Sequence, residues 1–520
     1  LSDGTAASAL DRLIEHLSSP RGIAAFWLLY GVLFCIIYFA FTRTLALDDA
    51  VSAELMQRHL APAYQIRNPP AFEWMLWAVQ QAFGPGLISF VVLRYGLIAA
   101  FGVLTFVAVR QATGDRRLAA AFSLSLPLFF WLGWDFHYRV THSLGLLVFG
   151  LGAWIALIRY RKTHAAKHAA LAGLLIGAAL VSKWNGAIFF AAVFAVFLFD
   201  AKGRAAFARV QTALIPLAVL VPLAPPVLWL LARPATVGGG VASHIIVEQP
   251  DYLWMIGTGV LDLAVAVSLF LLPWGAVIAG SAAFARNGHG AEPSDIGRLA
   301  LRVTATTVIA ALCLIPFIGS VHTDFRYMYP LFLVFPVAVA SWLATRIDIV
   351  RFARRVFLAS LVMVAVAAAL RAGALNQPDS WRAQKQEALR PYDRLAQKLG
   401  EMNFTEADIV ALDTRDAGNL SSLLPQTRVR ALNSKREDTP LPAPERTCLV
   451  IWHGETVHVP APDPVPAVPD GIRSLAGDVP PGAVFALPVE WRKPLWGPTR
   501  RSTWFGISGE AAAPVCAGAR

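Results

Sequence analysis

Long apolar runs, separated by short polar stretches, dominate the first three quarters of the chain. They lie at 22–42, 87–109, 118–136, 138–158, 169–182, 184–200, 211–231, 257–282, 301–319, 326–345 and 356–373. A helix needs roughly 17–25 apolar residues to cross a bilayer, so the pattern predicts about eleven transmembrane helices, with 169–182 short. Ahead of the first run, Leu10, Leu13, Ile14 and Leu17 fall on one helical face. Residues 1–21 are therefore expected to form an amphipathic helix on the cytoplasmic surface. The first apolar run is long and has no small-residue cleavage site, so no cleavable signal is expected. The runs at 138–158 and 356–373, rich in Leu, Ala and Val, are expected to serve as scaffold.

The pattern changes after Ala374. Residues 381–400 read as an amphipathic helix, Asp408–Leu412 and Thr447–Trp452 as buried strands, and the proline-rich 455–482 as loop. The predicted fold is an all-α polytopic membrane domain over 22–373, with an outer loop at 43–86, followed by a soluble α/β domain over 374–520.

Composition agrees: 56% of residues are hydrophobic and 15% charged. The net charge of +11 could suggest nucleic acid, but the basic residues cluster in alternate loops. Such groups include Arg110, Arg116 and Arg117, then Arg159, Arg161 and Lys162, and later Arg346, Arg351, Arg354 and Arg355. These mark cytoplasmic loops by the positive-inside rule, so a nucleic-acid partner is not expected. The intervening loops, with Asp48, Asp49, Glu54, Asp135, Glu248, Asp251 and Asp324, belong outside. The N-terminus is then inside and the C-terminus outside. Of the four cysteines, Cys35 and Cys313 fall in apolar runs, and only Cys448 and Cys516 could pair in an oxidising compartment. No Cys/His spacing suggests zinc, and no glycine-rich nucleotide motif is present.

The outer loops carry the candidate chemistry. Leu47-Asp48-Asp49-Ala50 follows the first run, with Glu54 on the next turns. Paired carboxylates beside a bilayer are costly, and a carboxylate there can take a proton from an acceptor or orient a charged donor. Arg67-Asn68-Pro69-Pro70 ends one segment, and Ala71 starts an interfacial helix carrying Phe72, Trp74 and Trp77. Ser182-Lys183-Trp184-Asn185-Gly186 interrupts an apolar stretch, where a lysine must snorkel or meet an anion. Arg94 poses the same question inside the second run. Asp135, His137, Arg139 and His142 mark the outer end of a hairpin of spans, and His322, Arg326 and Tyr327 lead into a later one. His244 lies in an outer loop. An outer cavity holding Asp48 and Asp49, the cations Arg67, Lys183 and Arg326, and aromatic side chains suits a substrate with a phosphate, a sugar and a lipid tail.

With these motifs the chain resembles the polyprenyl-phosphate-dependent GT-C glycosyltransferases of the protein O-mannosyltransferase and lipid A aminoarabinose transferase type. The resemblance rests on Asp48-Asp49-Ala50-Val51-Ser52-Ala53-Glu54, Arg67-Asn68-Pro69-Pro70-Ala71-Phe72-Glu73-Trp74, Leu180-Val181-Ser182-Lys183-Trp184-Asn185-Gly186 and Arg326-Tyr327-Met328-Tyr329-Pro330. It covers residues 22–345, and the C-terminal domain more loosely. It implies that Asp48, with Asp49, is catalytic, and that Lys183 and Arg326, with Arg67, face a lipid phosphate. Glu54, Asn68, Arg94, Asp135, His137, Arg139, His142, His244, His322 and Tyr327 are the expected cavity residues. The chain departs from the family at Asp49, where a Glu is usual, at Asn68, where a lysine is frequent, and at His142, where an acid is frequent. These departures lean towards the branch that adds galacturonic acid to lipopolysaccharide. The implied activity is inverting transfer of a monosaccharide, galacturonic acid or aminoarabinose, from a polyprenyl-phosphate donor to lipid A or lipopolysaccharide. It would take place without metal or other cofactor, at the periplasmic face of a bacterial inner membrane and among its lipids. A protein O-mannosyltransferase and a non-enzymatic lipid or sugar transporter are the rival readings.

Overall fold

The computed structural model describes residues 9–56, 59–137, 141–233, 251–286, 292–318, 327–376, 388–434, 446–453, 457–458, 468–477, 479–493 and 500–518. Seven described helices are long and apolar enough to cross a membrane: Pro20–Phe41, Leu87–Thr113, His142–Thr163, Val210–Leu231, Tyr252–Ala283, Asp295–Phe317 and Ile349–Asn376. Two bent pairs bring the number to nine if each is one span: Arg116–Leu128 with Phe130–His137, bent by 66°, and Gly186–Phe199 with Ala201–Phe207, bent by 103°. The shorter apolar helices Ala166–Leu180 and Met328–Leu343 occupy the two remaining predicted runs. Each apolar run read from the sequence thus has a helical counterpart, and the run that was short in sequence is short in structure.

The bends have local causes. At the first bend Phe129, between the two segments, is extended (φ −69°, ψ 128°) and so interrupts the helical path. At the second bend the Asp200 carboxylate accepts from the Gly203 N–H at 2.7 Å and meets Arg161 at 2.7 Å. Arg161 also reaches Asp295 at 2.9 Å, so one guanidinium pins three chain segments at an arginine-rich end of the bundle. Elsewhere the helices approach through small residues, as membrane helices commonly do. Trp27 lies against Gly102, where a Cβ would fall 2.0 Å from the indole, and its N–H donates to Ser123 Oγ at 2.9 Å.

By internal contacts the chain divides into two units, Leu1–Leu33 with Ile66–Phe72 and Arg94–Ala367, and Phe34–Gln65 with Glu73–Leu93 and Ala368–Arg520. Most of the loop between the first two long helices therefore groups with the C-terminal region.

That region is a sheet with helices on both faces. Its strands are β1 (Asp408–Ala411), β2 (Arg428–Ala431), β3 (Cys448–His453), β4 (Val457–His458), β5 (Phe485–Glu490) and β6 (Arg500–Ser508). The order is β2-β1-β3-β6-β4, with β5 also on β6. β1 runs parallel to β2 and β3, while β6 is antiparallel to β3, β4 and β5. Side chains alternate between two cores, as the period of a strand requires. Ile409, Leu449, Ile451 and Trp504 pack with Leu395 and Leu420 on one face, and Val410, Val450, Trp452 and Ile507 with Ile472 and Val515 on the other.

Three expectations change. The helix expected over 381–400 is Tyr392–Glu401: 381–387 lie outside the described residues, and Pro391 at the cap sets the start. The loop expected over 455–482 contains the helix Asp470–Ala476. The N-terminal amphipathic helix is Ala9–Leu17, with Ile14 and Leu17 buried but Leu13 44% exposed, so its apolar face is narrower than predicted.

Cys448 and Cys516 form a disulfide across 68 residues of sequence, with Cα atoms 6.2 Å apart, joining β3 to the last helix. Closing a loop of that length stabilises by about 4 kcal/mol through the unfolded chain. Cys448→Ser should therefore lower the apparent Tm of the C-terminal domain, followed by tryptophan fluorescence, and reductant should do the same to the wild type. An unchanged Tm in both would show that the crosslink contributes nothing.

Candidate functional site

The acidic motif forms the helix Leu47–Met56, with Asp48 and Asp49 in its first turn, where the helix dipole favours negative charge. Asp49 is fully buried and Asp48 half-buried. Two faces of this helix are held. Ala50 and Glu54, one turn apart, share a face towards the C-terminal domain. Glu54 Oε1 accepts from Ser434 Oγ at 2.7 Å and from the Ala431 N–H at 3.4 Å. A Cβ on Gly418 would stand 1.9 Å from the Ala50 carbonyl oxygen, so only glycine permits this approach of the helix Thr414–Leu423. The Leu45 N–H donates to Asn419 Oδ1 at 2.7 Å just before the helix begins. On the face shared by Asp48 and Ser52, Ser52 Oγ donates to Glu73 Oε1 at 2.9 Å.

The cationic set lies on the first unit. Residues 181–185 break the path between Ala166–Leu180 and Gly186–Phe199. The Ala71 N–H donates to the Val181 carbonyl at 2.9 Å, and Trp184 Nε1 to the Ile66 carbonyl at 3.2 Å. These two bonds lay the Arg67-Asn68-Pro69-Pro70 segment along the break. Lys183 Nζ donates to Ser143 Oγ at 2.8 Å and stands 5.7 Å from the ring centres of both Tyr327 and Tyr329. Arg67 is exposed, Asn68 is half-buried, and the His142 ring lies 5.5 Å from that of Phe72. An ammonium flanked by aromatic faces, with a guanidinium on the docked segment, can hold a phosphate.

Arg94, Asp135 and His137 are fully buried in the same unit. His137 Nε2 meets Tyr30 Oη at 3.0 Å, Nδ1 meets Tyr95 Oη at 3.0 Å, and its carbonyl accepts from Arg94 Nη1 at 3.0 Å. In either tautomer one ring nitrogen donates and the other accepts, and a tyrosine hydroxyl can play either part. Arg139, His244, His322 and Arg326 lie outside the described residues.

Several residues were not singled out from the sequence. Ser143 and Tyr329 carry no charge to draw attention to them. Glu73, buried against Ser52, stood in the Pro-Pro motif without a role. Arg371 is fully buried with its guanidinium 5.3 Å from the Tyr38 ring, although its apolar run read as mere scaffold. An arginine inside such a run was the available signal.

Among the described residues, Asp413, Asp416 and His453 place potential metal-ligand atoms within 4.8 Å of one another. Asp416 Oδ1 already accepts from Tyr392 Oη at 2.6 Å and faces Arg390 at 3.3 Å. Burial, followed by the Arg390 guanidinium, pushes His453 down to about 4, with Asp413 opposing. The cluster is thus already supplied with cationic partners.

No protein-family model matches the chain. It is 25% identical over 433 residues to the lipopolysaccharide core galacturonosyltransferase RgtB of Rhizobium johnstonii, covering 81% of this chain and 85% of that protein. It is 26% identical over 314 residues to the lipopolysaccharide core galacturonosyltransferase RgtA of the same organism, covering 59% and 62%. Its fold is that of ArnT from Cupriavidus metallidurans. The undecaprenyl-phosphate-bound structure gives a TM-score of 0.56 at 12% identity and the apo structure 0.58 at 13%, each over 94% of this chain and 99% of ArnT. The expected GT-C fold, a polytopic helical domain with a C-terminal α/β domain, is borne out.

Two outcomes follow from this geometry. Gly418→Ala should lower the apparent Tm by several degrees, because the added methyl overpacks against Ala50 at a cost of about 1–3 kcal/mol, whereas Gly482→Ala, with open space beside it, should not. Equal melting of the two variants would refute the close approach. For His453, the folded chain holds the ring neutral below the 6.5 at which an unfolded histidine protonates. Its contribution to stability is present above pH 6.5 and is lost as pH falls towards about 4, on the order of 3 kcal/mol in all. Unfolding followed between pH 7 and 4.5 should show this slope in the wild type and a shallower one in His453→Gln.

Proposed function

We propose that this chain is a glycosyltransferase that moves galacturonic acid from a polyprenyl-phosphate donor to a lipopolysaccharide or lipid A acceptor at the periplasmic face of a bacterial inner membrane. The observation that carries the reading is the lysine break, where an ammonium set between Ser143, Tyr327 and Tyr329 is lined by the docked Arg67-Asn68 segment. The names of RgtB and RgtA support the sugar and the acceptor, and the undecaprenyl phosphate bound by ArnT supports the donor. A disulfide in the C-terminal domain and the arginine-rich loops elsewhere support an oxidising, periplasmic setting for that domain.

In this reading the acceptor hydroxyl oxygen attacks the anomeric carbon as the bond from that carbon to the phosphate oxygen breaks. Attack from the opposite face inverts the configuration. Asp48 takes the hydroxyl proton, and polyprenyl phosphate departs with the bonding electrons. Lys183, Arg67 and Arg326 neutralise the departing phosphate, and no metal is needed for a monophosphate. Asp49 and Glu54 hold Asp48 in place as parts of one helix. Asn68, His142 and Tyr327 contact the sugar or the acceptor.

The test is turnover by the purified chain in detergent, offered a panel of polyprenyl-phosphate sugars with extracted lipopolysaccharide. Transfer should occur from the galacturonic acid donor, survive EDTA, and fall about 10²–10⁴-fold in Asp48→Asn, the usual range for loss of a positioned base. Lys183→Ala should chiefly raise the KM for the donor. Transfer from a different donor would correct the sugar. No transfer from any donor, with lipid translocation unaffected by Asp48→Asn, would replace the enzyme by a transporter.

A further inference from the structure

A cavity of about 860 Å³ opens in the first unit between the helix Tyr252–Ala283 and the helix Phe335–Leu343. No residue assigned to the proposed reaction lines it. Its inner wall is apolar, formed by Leu271, Gly275, Ile278 and Ala279 on one helix and Phe335 and Val339 on the other. Pro273 cannot donate to the carbonyl one turn before it, which loosens the helix at the inner end of the cavity.

The other end is cationic. Arg286 and Arg346 both line it, each three residues beyond the end of its helix, where the helix dipole favours positive charge. A backbone bridge between Arg286 and Ile347, and a bond from the Asp348 N–H to the Ala285 carbonyl at 2.7 Å, hold the two ends together. Arg346 lies 4.8 Å over the half-exposed Trp342 ring and donates from Nη1 to the Trp342 carbonyl at 2.7 Å. Both side-chain bonds that Arg346 makes among the described residues use that one nitrogen, and a guanidinium carries five N–H donors. Arg355 stands 5.0 Å over Phe284 beside them. The carboxylate next in sequence, Asp348, is engaged by Arg351 at 3.2 Å and by the N–H groups of Val350 and Arg351.

We infer that this cavity binds an anionic phospholipid, its phosphate between Arg286 and Arg346 and an acyl chain along Gly275 and Ala279. Charge complementarity selects the head group, because basic pockets between membrane helices on the cytoplasmic side suit acidic lipids. The wall selects a lipid over a soluble anion. From Leu271 to Ala283, the last helical residue lining the cavity, is roughly 18 Å along the helix, more than half the thickness of the hydrocarbon core. The exposed Trp342 and Phe284 beside the arginines suit the membrane–water interface. The inference is independent of the reaction proposed above.

Native mass spectrometry of the full chain, released from mild detergent and titrated with phosphatidylglycerol, cardiolipin or phosphatidylcholine, tests it. One acidic phospholipid should stay bound at collision energies that strip phosphatidylcholine. Its occupancy should fall about tenfold or more in the double variant Arg286→Gln with Arg346→Gln, given the strength of hydrogen bonds to a charged phosphate. Gly275→Leu should displace the lipid with both arginines intact; no heavy atom stands within 4 Å of a Cβ added there, and an unchanged apparent Tm shows that the variant still folds. Unchanged retention in either variant, or equal retention of phosphatidylcholine, would overturn the inference. So would displacement of the lipid by inorganic phosphate, or an adduct with polyprenyl phosphate but with neither acidic phospholipid.

Discussion

An ammonium in the middle of an apolar helical stretch has to be met by other groups, and much of the first unit is arranged around that need. Burying Lys183 in hydrocarbon without partners would cost several kcal/mol. The chain answers by breaking the helix there, so that neither Ala166–Leu180 nor Gly186–Phe199 runs to a full span by itself. The break in turn exposes backbone and indole groups that need partners, since lipid offers none. The segment 66–72 supplies them through the Ala71–Val181 and Trp184–Ile66 bonds. The same bonds bring Arg67 and Asn68 alongside. The cost of one charge set in an apolar stretch therefore accounts for two short helices, a docked loop and a concentration of cationic and aromatic side chains.

The polar residues of this unit fall into two kinds. His137 is enclosed by Tyr30, Tyr95 and Arg94 at hydrogen-bond distance and fully buried. A network of this sort, with both ring nitrogens of His137 engaged, ties together the spans that contribute to it. Lys183, His142 and Tyr327 instead keep part of their surface open, and Tyr327 is 41% exposed. Arg94, Asp135 and His137, expected from the sequence as cavity residues, are fully buried.

The sequence made some levels of this organisation visible and hid others. Hydrophobic runs report burial in lipid directly, so the helices were legible, and so were β1 and β3, whose residues are apolar on both faces. β2 (Arg-Val-Arg-Ala) and β5 are short, alternate in polarity, or carry a proline, and neither stood out. The pairing of Glu54 with Ser434 and of Ser52 with Glu73 joins residues distant in sequence. No local pattern encodes such contacts. The acidic and lysine motifs were legible because a charge beside an apolar run is itself anomalous, and Arg371 escaped only because its run was read as uniform.

The C-terminal domain gains a role from its contacts with the acidic helix. A side chain carried on a rigid, packed element keeps its position better than one carried on a loop. Leu47–Met56 is only ten residues long and could not hold a position by itself. Its Ala50–Glu54 face is fixed by Gly418, Ser434 and the strand end at Ala431, and the turn before it by Asn419. The helix that supplies Gly418 and Asn419 is itself packed on the sheet through Ala417 and Leu420. Held from that side, the helix keeps Asp48 half-exposed on a different face. Among the described residues, the domain thus fixes the acidic helix through backbone and polar side-chain contacts on its Ala50–Glu54 face.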